Sequence, residues 1–465
     1  MTTSTTRATS EALNELLAML PPGVVATTAE SIDSYRQDFA RDGSAGHPAA
    51  VVRPESVDQV QTVLRWANRY KVAIVPRGAG TGLSGGSSAV DGAVTICLER
   101  MRGVKIDPVN QIAVVEPGAL NAEVKAAAAK EGLWYPPDPS SFEICSIGGN
   151  IATNAGGLCC HKYGVTADYV LGIDVVLADG TLVSLGGRTQ KDVAGLPLVK
   201  LFVGSEGILG VITGAILRLL PTPPPPGAMV ATFATVSAAS RAVLAIRGQT
   251  RASMLELIDR TTINAIEDWR SHGLDRSSGA LLIAQSDAPG SARDAELELM
   301  ADACEAEGAA GVFCSSDPAD VEMFVAARRA ALHALERTGS VMLEDVSVPV
   351  PLLPELVEAV AEISQHRETE IAIIAHAGDG NTHPVIVFDA SDTAATHRAR
   401  AAFEDVMATA IALGGTITGE HGVGRTKSTA LPSQLGAHVM DLNWRVKDAL
   451  DPGGLLNPGA VLVRR

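Results

Sequence analysis

Aromatic residues are scarce in this chain of 465 residues, at 4%, and cysteine occurs only six times. No two cysteines form a C-x-x-C pair, which excludes the ligand sets of zinc ribbons and ferredoxin-type iron–sulfur clusters. No uncharged apolar run approaches the roughly eighteen residues that a membrane-spanning helix needs. The first twenty residues make a poor signal peptide, because their apolar stretch is broken by glutamate and asparagine. We expect a cytoplasmic protein without an integral membrane segment. Peripheral attachment to a membrane through an acceptor protein is the alternative.

Positive charge is also in short supply. Lysine and arginine total 37 against 53 for aspartate and glutamate, a net charge of −16. Binding to nucleic acid or to an anionic membrane surface needs clustered positive charge, so we expect neither partner. Hydrophobic residues reach 46%, which suffices for a large buried core, and the 45 glycines indicate many tight turns or a ligand lying close to the backbone.

A proline run, PTPPPPG at 221–227, divides the sequence, because such a run continues neither a helix nor a central strand. Before it we predict a helical lead-in at 1–45 and a domain at 46–222 in which strands and helices intersperse. After it, residues 228–425 alternate strand candidates with long helices, and 426–465 end in a turn-rich tail. The length and this order predict an α+β protein of two or three domains. The alternative to a boundary is an ordinary rigid surface loop.

The densest glycine cluster is PRGAGTGLSGGS at 76–87, directly after a strand candidate. Residues 80–85 match G-x-G-x-x-G, but that fingerprint requires a helix to follow, and the small and turn-forming residues that follow here break any helix. What remains is a run of backbone N–H groups without obstructing side chains, which can wrap a diphosphate directly. A glycine-rich hairpin loop without a ligand is the alternative.

Two further segments rich in small residues favour the ligand. They are SIGGNIATNAGG at 146–157 and GSEGILGVIT at 204–213, and we predict both as loops. Three such loops in one domain indicate a single large ligand close to the backbone. A dinucleotide of flavin size fits better than a single nucleotide.

The segments PRGAGTGLSGGS, DPSS…SIGGNIATNAGGL…KYGVT and VGSEGILGVIT resemble the FAD-binding domain of the vanillyl-alcohol oxidase / p-cresol methylhydroxylase flavoproteins. Within that group the chain resembles the branch of glycolate oxidase catalytic subunits and FAD-linked D-lactate dehydrogenases, from about residue 45 to the C-terminal NPG. The resemblance implies an FAD-binding domain of two α+β subdomains of the p-cresol methylhydroxylase type. It also implies an α+β cap domain for the substrate, built on an antiparallel sheet, and a C-terminal segment that returns to the flavin.

The resemblance also implies which residues bind FAD. The pyrophosphate would be held by Pro76, Arg77, Gly78, Ala79, Gly80, Thr81 and Gly82. The flavin would be lined by Gly149, Thr153, Asn154 and Gly156, and Pro139 and Ser146 would belong to the same site. Glu206 and Ile212 would lie near the ribityl–adenosine part, and Asn457 would close over the ring.

Beyond the proline run, the segment AHAGDGNTHP at 375–384 predicts a metal-binding hairpin. Both flanks are apolar and β-branched, and Asp379-Gly380 is a strong signal for a two-residue turn. Such a turn would place His376 and His383 directly opposite each other, with Cβ atoms roughly 5 Å apart, where they could share one divalent ion. Two solvated or core histidines are the alternative.

A third ligand is available in TITGEHGVG at 416–424, where Glu420 supplies a carboxylate and His421 an imidazole. Neighbours in a regular strand point to opposite faces, but the flanking Gly419 and Gly422 allow an irregular backbone. Two histidines and one carboxylate suit zinc, manganese or iron(II). Zinc is the first choice, because hydride abstraction by a flavin requires no redox change of the ion.

In the D-2-hydroxyacid dehydrogenases that this chain resembles, H-x-G-D-G-N-x-H and G-E-H-G carry the metal and the catalysis. The resemblance implies His376, His383 and Glu420 as metal ligands and His421 as the general base. A hydroxyl bound to a dication has a lowered pKa, so a nearby histidine can take its proton. The pattern of these enzymes places the arginine that binds the substrate carboxylate at Arg328, and a swap with the adjacent Arg329 stays open.

The implied reaction is FAD-dependent oxidation of a D-2-hydroxy monocarboxylic acid, D-lactate or glycolate, to the 2-keto acid. Relatives that act on D-2-hydroxyglutarate use a lysine for the second carboxylate, and that lysine aligns roughly with Leu343, which favours a monocarboxylate. The alternatives are a D-2-hydroxyglutarate dehydrogenase and a non-catalytic flavin-binding subunit of a glycolate oxidase complex. An external acceptor would take the electrons: a quinone, a cytochrome, an electron-transferring flavoprotein or an iron–sulfur partner protein.

Overall fold

The computed structural model of the protein describes residues 8–41 and 43–464, so positions 1–7 and 42 of the predicted lead-in, and residue 465, lie outside the described residues. The chain folds into two compact units. Unit 1 comprises Met1–Gly156, Val165–Thr222 and Glu420–Arg465, and unit 2 comprises Gly157–Gly164 and Pro223–Gly419. The division at Thr222/Pro223 lies in the proline run. The second division lies at Gly419/Glu420, six residues before the predicted one after residue 425.

The helices, in chain order, are α1 Ser10–Met19, α2 Ala29–Ile32, α3 Val57–Tyr70, α4 Asn121–Ala129, α5 Ile147–Thr153, α6 Cys160–Tyr163, α7 Leu198–Phe202, α8 Val236–Arg247, α9 Arg260–Trp269, α10 Ser291–Ala306, α11 Pro318–Leu335, α12 Leu353–Arg367, α13 Thr393–Ala412 and α14 Leu431–Leu450. Of these, α6 and α8 to α13 belong to unit 2. Short 3₁₀ helices form at Asp33–Tyr35, Thr166–Asp168 and Val350–Leu352. No helix among the described residues has both the length and the apolar character that crossing a membrane requires.

The strands of unit 1 are β1 Val25–Ala26, β2 Ala50–Val52, β3 Ile74–Arg77, β4 Val94–Cys97, β5 Val104–Asp107, β6 Ile112–Val115, β7 Leu133–Trp134, β8 Val170–Val176, β9 Leu182–Gly186, β10 Val211–Arg218 and β11 Leu220–Pro221. In one sheet the order is β1-β2-β4-β3, with β2, β4 and β3 parallel and β1 antiparallel. A second, antiparallel sheet has the order β5-β6-β10-β8-β9, and β7 pairs with β11. The lead-in, predicted to be helical, therefore also supplies a strand.

Helix α3 shows how the sequence builds the parallel sheet. Ser56 caps its first turn by accepting from the Gln59 amide, and Lys71 ends it in the left-handed conformation. Its apolar positions recur at helical spacing, so one face is buried against the strands β3 and β4. This packing fixes the position of β3, and the first glycine-rich loop begins at the end of that strand.

The strands of unit 2 are β12 Gly227–Phe233, β13 Met254–Asp259, β14 Ala280–Ser286, β15 Gly311–Ser315, β16 Ser340–Leu343, β17 Val346–Ser347, β18 Glu370–His376 and β19 Asn381–Phe388. They form an antiparallel sheet in the order β15-β12-β14-β13-β18-β19-β16, with β17 also paired to β19. This confirms the predicted antiparallel sheet. Among the strand candidates that follow the proline run, residues 415–422 do not form a strand: they form bends, with a single bridge between Ser347 and Thr416.

The helices α9 and α11 cover one face of this sheet, and apolar side chains form the contact. Ile263 of α9 and Phe324 of α11 belong to the same buried cluster as Ile258, Ile374 and Val385 of the central strands. Alternate residues of a strand point to the same face. Each of these three strand residues has a neighbour two positions along its strand, toward the same end of the sheet. These neighbours, Glu256, His376 and His383, therefore share this face.

The C-terminal segment of unit 1 is fixed by a buried ion pair at the end of α14. The Lys447 ammonium group, 6% exposed, pairs with Asp451 and donates to the carbonyl oxygens of Ile208, at 2.7 Å, and Leu456, at 2.9 Å. The Asp451 carboxylate accepts from the amides of Leu455, at 3.0 Å, and Leu456, at 2.8 Å. This network holds the chain immediately before Asn457.

Replacement of Lys447 by methionine should therefore destabilise the protein by about 3–5 kcal/mol, because it leaves the buried Asp451 carboxylate without its cation. Urea unfolding followed by circular dichroism measures the change. Arg445→Met is the matched control on the same helix, since Arg445 is largely exposed and pairs with Asp441 at the surface. We expect the control to cost less than about 1 kcal/mol. Equal effects of the two variants would contradict a role for the buried pair.

Candidate active site

The loop that follows β3 in unit 1 runs through turns and bends without a helix, as predicted. Arg77 folds back beneath it and donates to the carbonyl oxygens of Gln37, at 3.0 Å, and Ser87, at 3.4 Å. Gly80 has φ +76°, and a Cβ there would lie 2.1 Å from the Arg77 guanidinium. The Arg77 side chain therefore supports the loop, and position 80 must be glycine because a Cβ there would clash with the guanidinium.

The outer side of this loop presents backbone N–H groups. Within the part of the chain that the structure describes, the amides of Gly80, Thr81 and Gly82 donate to no protein acceptor. Gly80 is buried, and Thr81 and Gly82 are half-buried. Such a row of available donors on glycine-rich backbone fits an anion of the diphosphate type.

Asp38, which sequence reasoning missed, fixes the far end of the loop. Its buried carboxylate accepts from the Ser87 amide at 3.2 Å and the Ser88 hydroxyl at 3.2 Å. Burial raises the pKa of this carboxyl group, and hydrogen bonds from the loop oppose the shift. The only sequence signal is an acidic residue in the lead-in, with its partners about fifty positions away.

Ser146 joins the second glycine-rich segment to the first. Its hydroxyl oxygen accepts from the amides of Ala79, at 3.2 Å, and Gly149, at 3.4 Å, and a Cβ on Gly78 would lie 2.3 Å from it. The prediction of a loop here was wrong for Ile147–Thr153, which form α5. Ser146 is the N-cap of that helix and Asn154 its left-handed C-cap, so the small residues serve close packing of helix and loop.

Glu206, in the third glycine-rich segment, binds the backbone near the C-terminus. Its carboxylate, 8% exposed, accepts from the amides of Val423 and Gly424, both at 2.8 Å. Burial raises the pKa of Glu206 to about 7, against the opposing effect of those two amides. The sequence predicted this residue at the cofactor, and the structure shows that its side chain organises the surrounding backbone.

Asn457 connects the same segments. Its amide group donates to the carbonyl oxygens of Gly86 and Glu206, both at 2.8 Å, and its oxygen accepts from Arg425 at 2.7 Å. Asn457 is 1% exposed and has φ +44°. The first loop, the third segment and the C-terminal NPG therefore meet at one side chain.

Glu420 and His421 lie beside the glycine-rich segments of unit 1. A Cβ on Gly156 would lie 2.4 Å from the Glu420 carboxylate, and the Ser84 hydroxyl donates to the His421 carbonyl oxygen at 3.0 Å. The His421 Nε2 atom is 3.8 Å from the nearer Glu420 oxygen. The predicted carboxylate ligand thus lies next to Gly156, which was predicted to line the flavin, and the backbone of the predicted base is held by the first glycine-rich loop.

The remaining predicted cofactor residues occupy ordinary structural positions in unit 1. The Thr153 hydroxyl donates to the Gly149 carbonyl oxygen at 3.1 Å, and the Pro139 carbonyl oxygen accepts from the Phe142 amide at 2.8 Å. Pro76 lies on β3 against Gly207, and Ile212 lies on β10, paired with Val175 and 7% exposed.

In unit 2, the hairpin of β18 and β19 brings the two predicted histidines together. The predicted two-residue turn was wrong: the turn spans residues 377–380, so His376 pairs with Asn381, and His383 pairs with Ile374. The rings nevertheless lie diagonally on one face, with centroids 5.1 Å apart and planes at 89°. His376 is 4% exposed and His383 6%.

Glu256 on β13, absent from the sequence predictions, binds His376 from the neighbouring strand. The His376 Nδ1 atom is 2.8 and 2.9 Å from the two Glu256 oxygens, and the Arg328 guanidinium is 2.7 Å from one of them. Arg328 on α11 is 4% exposed, and Arg329 is half-buried. A lone glutamate in the apolar strand MLELID was the available signal.

Asp345, also missed from the sequence, lies on the other side of the histidine pair. One of its oxygens is 3.6 Å from His383 Nδ1, and the other accepts from the Thr418 hydroxyl at 2.7 Å and the Gly419 amide at 3.0 Å. A Cβ on Gly419 would lie 2.3 Å from the Asn381 side-chain oxygen. The last residues of unit 2 are therefore held against the histidine hairpin.

These groups suit a divalent cation. A histidine whose Nδ1–H donates to a carboxylate presents Nε2 as its lone-pair nitrogen, which is the usual arrangement of a metal-ligating imidazole. The Asn381 side-chain oxygen is buried and receives no hydrogen bond from the described residues. Buried imidazole and oxygen donors of this kind can bind zinc, manganese or iron(II).

Comparisons with known proteins bear on both units. The family model "FAD linked oxidases, C-terminal domain" matches residues 223–461, and the model "FAD binding domain" matches 48–186. The chain is 38% identical to glycolate oxidase subunit GlcD of Bacillus subtilis (strain 168), over 90% of this chain and 89% of that one. It is 30% identical to D-lactate dehydrogenase of Archaeoglobus fulgidus, over 97% and 98%. It is 33% identical to D-2-hydroxyglutarate dehydrogenase of Xanthomonas citri pv. viticola, over 93% of each.

Solved structures give the fold. The structure of p-cresol methylhydroxylase with substrate bound aligns with a TM-score of 0.82 at 18% identity, over 98% of this chain and 97% of that one. The 4-ethylphenol oxidase of Gulosibacter chungangensis aligns with a TM-score of 0.80 at 21% identity, with the same coverage. These alignments confirm the predicted p-cresol methylhydroxylase fold.

The raised pKa of Glu206 predicts a pH dependence of stability. Between pH 4.5, which is the ordinary pKa of the group, and about pH 7, the Glu206 carboxyl group is protonated in the folded protein and ionised in the unfolded chain. The free energy of unfolding should therefore fall as the pH rises through this window, by up to about 1.4 kcal/mol per pH unit. Glu206→Gln removes the titration, so urea unfolding from pH 5 to 8 should give the variant a flatter profile than the wild type.

Replacement of the exposed Glu131 by glutamine is the surface control, and we expect it to follow the wild-type profile. Parallel profiles for the wild type and Glu206→Gln would show that this carboxyl group does not take up a proton on folding.

Proposed function

We propose that this chain, which belongs to the FAD-linked oxidases, oxidises a D-2-hydroxy monocarboxylic acid, D-lactate or glycolate, to the 2-keto acid. One observation carries the proposal: the FAD-binding segments of unit 1 hold a Glu-His pair, while unit 2 presents two buried histidines beside an arginine. Relatives named glycolate oxidase subunit, D-lactate dehydrogenase and D-2-hydroxyglutarate dehydrogenase support FAD-linked oxidation of a 2-hydroxy acid.

Unit 1 would hold FAD along its glycine-rich segments. The donors of Gly80, Thr81 and Gly82 suit the pyrophosphate, and Gly156 beside Glu420 suits a planar ring that lies close to backbone. When bound, FAD supplies the electron chemistry by accepting a hydride. Arg77, Ser146, Glu206 and Asn457 support that site by fixing the backbone that surrounds it.

The metal would be held by His376, His383 and Glu420. Glu420 is the next residue after Gly419, whose amide is bonded to Asp345 and whose Cα packs against Asn381, the residue paired with His376. A divalent ion at these ligands would lower the pKa of the substrate hydroxyl. Zinc is our first choice, with manganese or iron as alternatives.

His421 would then act as the general base and take the hydroxyl proton at Nε2, the ring nitrogen directed toward Glu420. The Ser84 hydroxyl holds the His421 backbone and so limits where the ring can move.

Arg328 would bind the substrate carboxylate. One guanidinium nitrogen is paired with Glu256, and the buried Nε atom has no hydrogen-bond acceptor among the described residues. A planar guanidinium is well suited to a carboxylate, and its link to His376 through Glu256 favours it over Arg329.

Leu343 supports a monocarboxylate over D-2-hydroxyglutarate. It lies on β16, paired with Val385, and packs against the apolar cluster of unit 2. An apolar side chain there offers no charge to a second carboxylate. The presence of both the histidine pair and the Glu-His pair argues against the other alternative, a non-catalytic subunit.

The electrons would leave to an external acceptor, which could be a quinone, a cytochrome, an electron-transferring flavoprotein or an iron–sulfur partner protein. The six cysteines are free thiols, which suits a reducing cytoplasm.

Turnover with a dye acceptor tests the substrate. We expect D-lactate or glycolate to bleach the flavin absorbance and to give a higher kcat/KM than D-2-hydroxyglutarate. Leu343→Lys should shift the ratio toward D-2-hydroxyglutarate by about tenfold or more, because a charged hydrogen bond contributes about 1.5–3 kcal/mol.

Leu343→Met is the matched control, since it conserves volume without adding charge. Failure of every 2-hydroxy acid to reduce the flavin would contradict the proposed reaction. A wild type that prefers D-2-hydroxyglutarate would establish the dicarboxylate alternative.

Removal of the metal tests the ligands. Exhaustive dialysis against a chelator should lower kcat/KM by about 100-fold or more while the flavin band remains, because the ion contributes several kcal/mol of stabilisation. Added zinc should restore activity to the wild type but not to His383→Ala. Full activity after chelation would contradict a metal-assisted reaction.

A further inference from the structure

We infer that Glu256 is a positioning residue that couples metal binding at His376 to carboxylate binding at Arg328 through one buried carboxylate. The inference rests on the proposed function, which assigns those two residues their ligands, and it adds a residue and a coupling between the two sites.

The three side chains form a continuous network. Both Glu256 oxygens lie within 2.9 Å of His376 Nδ1, and one of the two also lies 2.7 Å from the Arg328 guanidinium. The exposed fraction of each side chain is 5% or less. They come from three elements, β13, β18 and α11, so the network spans the sheet and the helix that covers it.

A structural role alone gives a weak account of this carboxylate. It stands in the strand MLELID, where every residue is buried. Removing a charge from water costs several kcal/mol, and an apolar side chain of similar size is often at least as stable in such a place. What an apolar residue could not do is orient an imidazole and a guanidinium at the same time.

The orientation has a definite consequence at each end. At His376, a donated Nδ1–H leaves Nε2 as the metal-binding nitrogen and makes it more basic. At Arg328, the salt bridge occupies one edge of the guanidinium and fixes the plane of the rest, including the buried Nε atom. A substrate carboxylate on Arg328 and a cation on His376 would therefore each alter the charge that Glu256 shares with the other.

Such coupling is reciprocal for binding free energies. A change at Arg328 should alter metal affinity even when no substrate is present. A residue that only fills space in the core would not produce this effect.

The experiment measures zinc affinity of the FAD-bound protein after metal removal, with a competing chelator and zinc alone. We expect Glu256→Gln to raise the zinc Kd by about 10–100-fold. We expect Arg328→Lys to raise it by several-fold in the absence of substrate. The two changes should be non-additive in the double variant, because both act on one network. With zinc saturating, Glu256→Gln should raise KM for the 2-hydroxy acid by about tenfold and change kcat less.

Asp259→Asn is the matched control. Asp259 is the other carboxylate of the strand β13, it is also buried, and it caps α9 by accepting from the Thr262 amide at 2.9 Å. Asparagine is an equally good cap, so this variant should keep the zinc Kd and KM within about twofold. Glu256→Asp keeps the charge and should fall between the wild type and Glu256→Gln, and it replaces the glutamine variant should that protein not fold.

The outcomes separate the positioning role from the metal site itself. A wild type that binds no zinc overturns the proposed metal site and this inference with it. A wild type that binds one zinc, with Glu256→Gln and Glu256→Asp binding it equally well, overturns only the positioning role. An unchanged zinc Kd in Arg328→Lys overturns the coupling.

Discussion

Buried carboxylates that accept backbone N–H groups are the constraint on which both units depend. Irregular backbone cannot be buried unless its N–H groups find acceptors. In unit 1, Glu206 accepts from the amides of Val423 and Gly424. Asp451 accepts from the amides of Leu455 and Leu456, the two residues before Asn457. In unit 2, Asp345 accepts from the Gly419 amide. Each carboxylate fixes a segment that has no helix or strand to fix it.

Several glycines of the candidate site are required by close packing. At Gly78 the missing Cβ makes room for Ser146, at Gly156 for Glu420, and at Gly419 for Asn381. These glycines do not mark flexible places. They mark points where a polar side chain approaches the backbone too closely for any other residue, so these three glycines reflect dense packing around the candidate site.

Local patterns in the sequence predicted several elements correctly but did not predict how the elements pair. The apolar periodicity of α3 and the β-branched flanks of the histidine hairpin predicted those elements, and the face shared by His376 and His383 survived an error in the turn. The error arose because Asp379-Gly380 is only half of a four-residue turn. Glu256 escaped prediction for another reason: its partner His376 is 120 positions away, and no local pattern records such a contact.

The Glu-His pair lies at the point in the chain where unit 2 ends and the C-terminal segment of unit 1 begins. Gly419 is the last residue of unit 2, and its amide donates to Asp345, while Glu420 begins the C-terminal segment of unit 1 and packs against Gly156. Within unit 1 the Glu420 carboxylate packs against Gly156, and the His421 carbonyl oxygen accepts from the Ser84 hydroxyl, so the glycine-rich segments anchor both residues. Close packing and hydrogen bonding of this kind limit where the two side chains can move, which suits groups that have to be held in a fixed orientation.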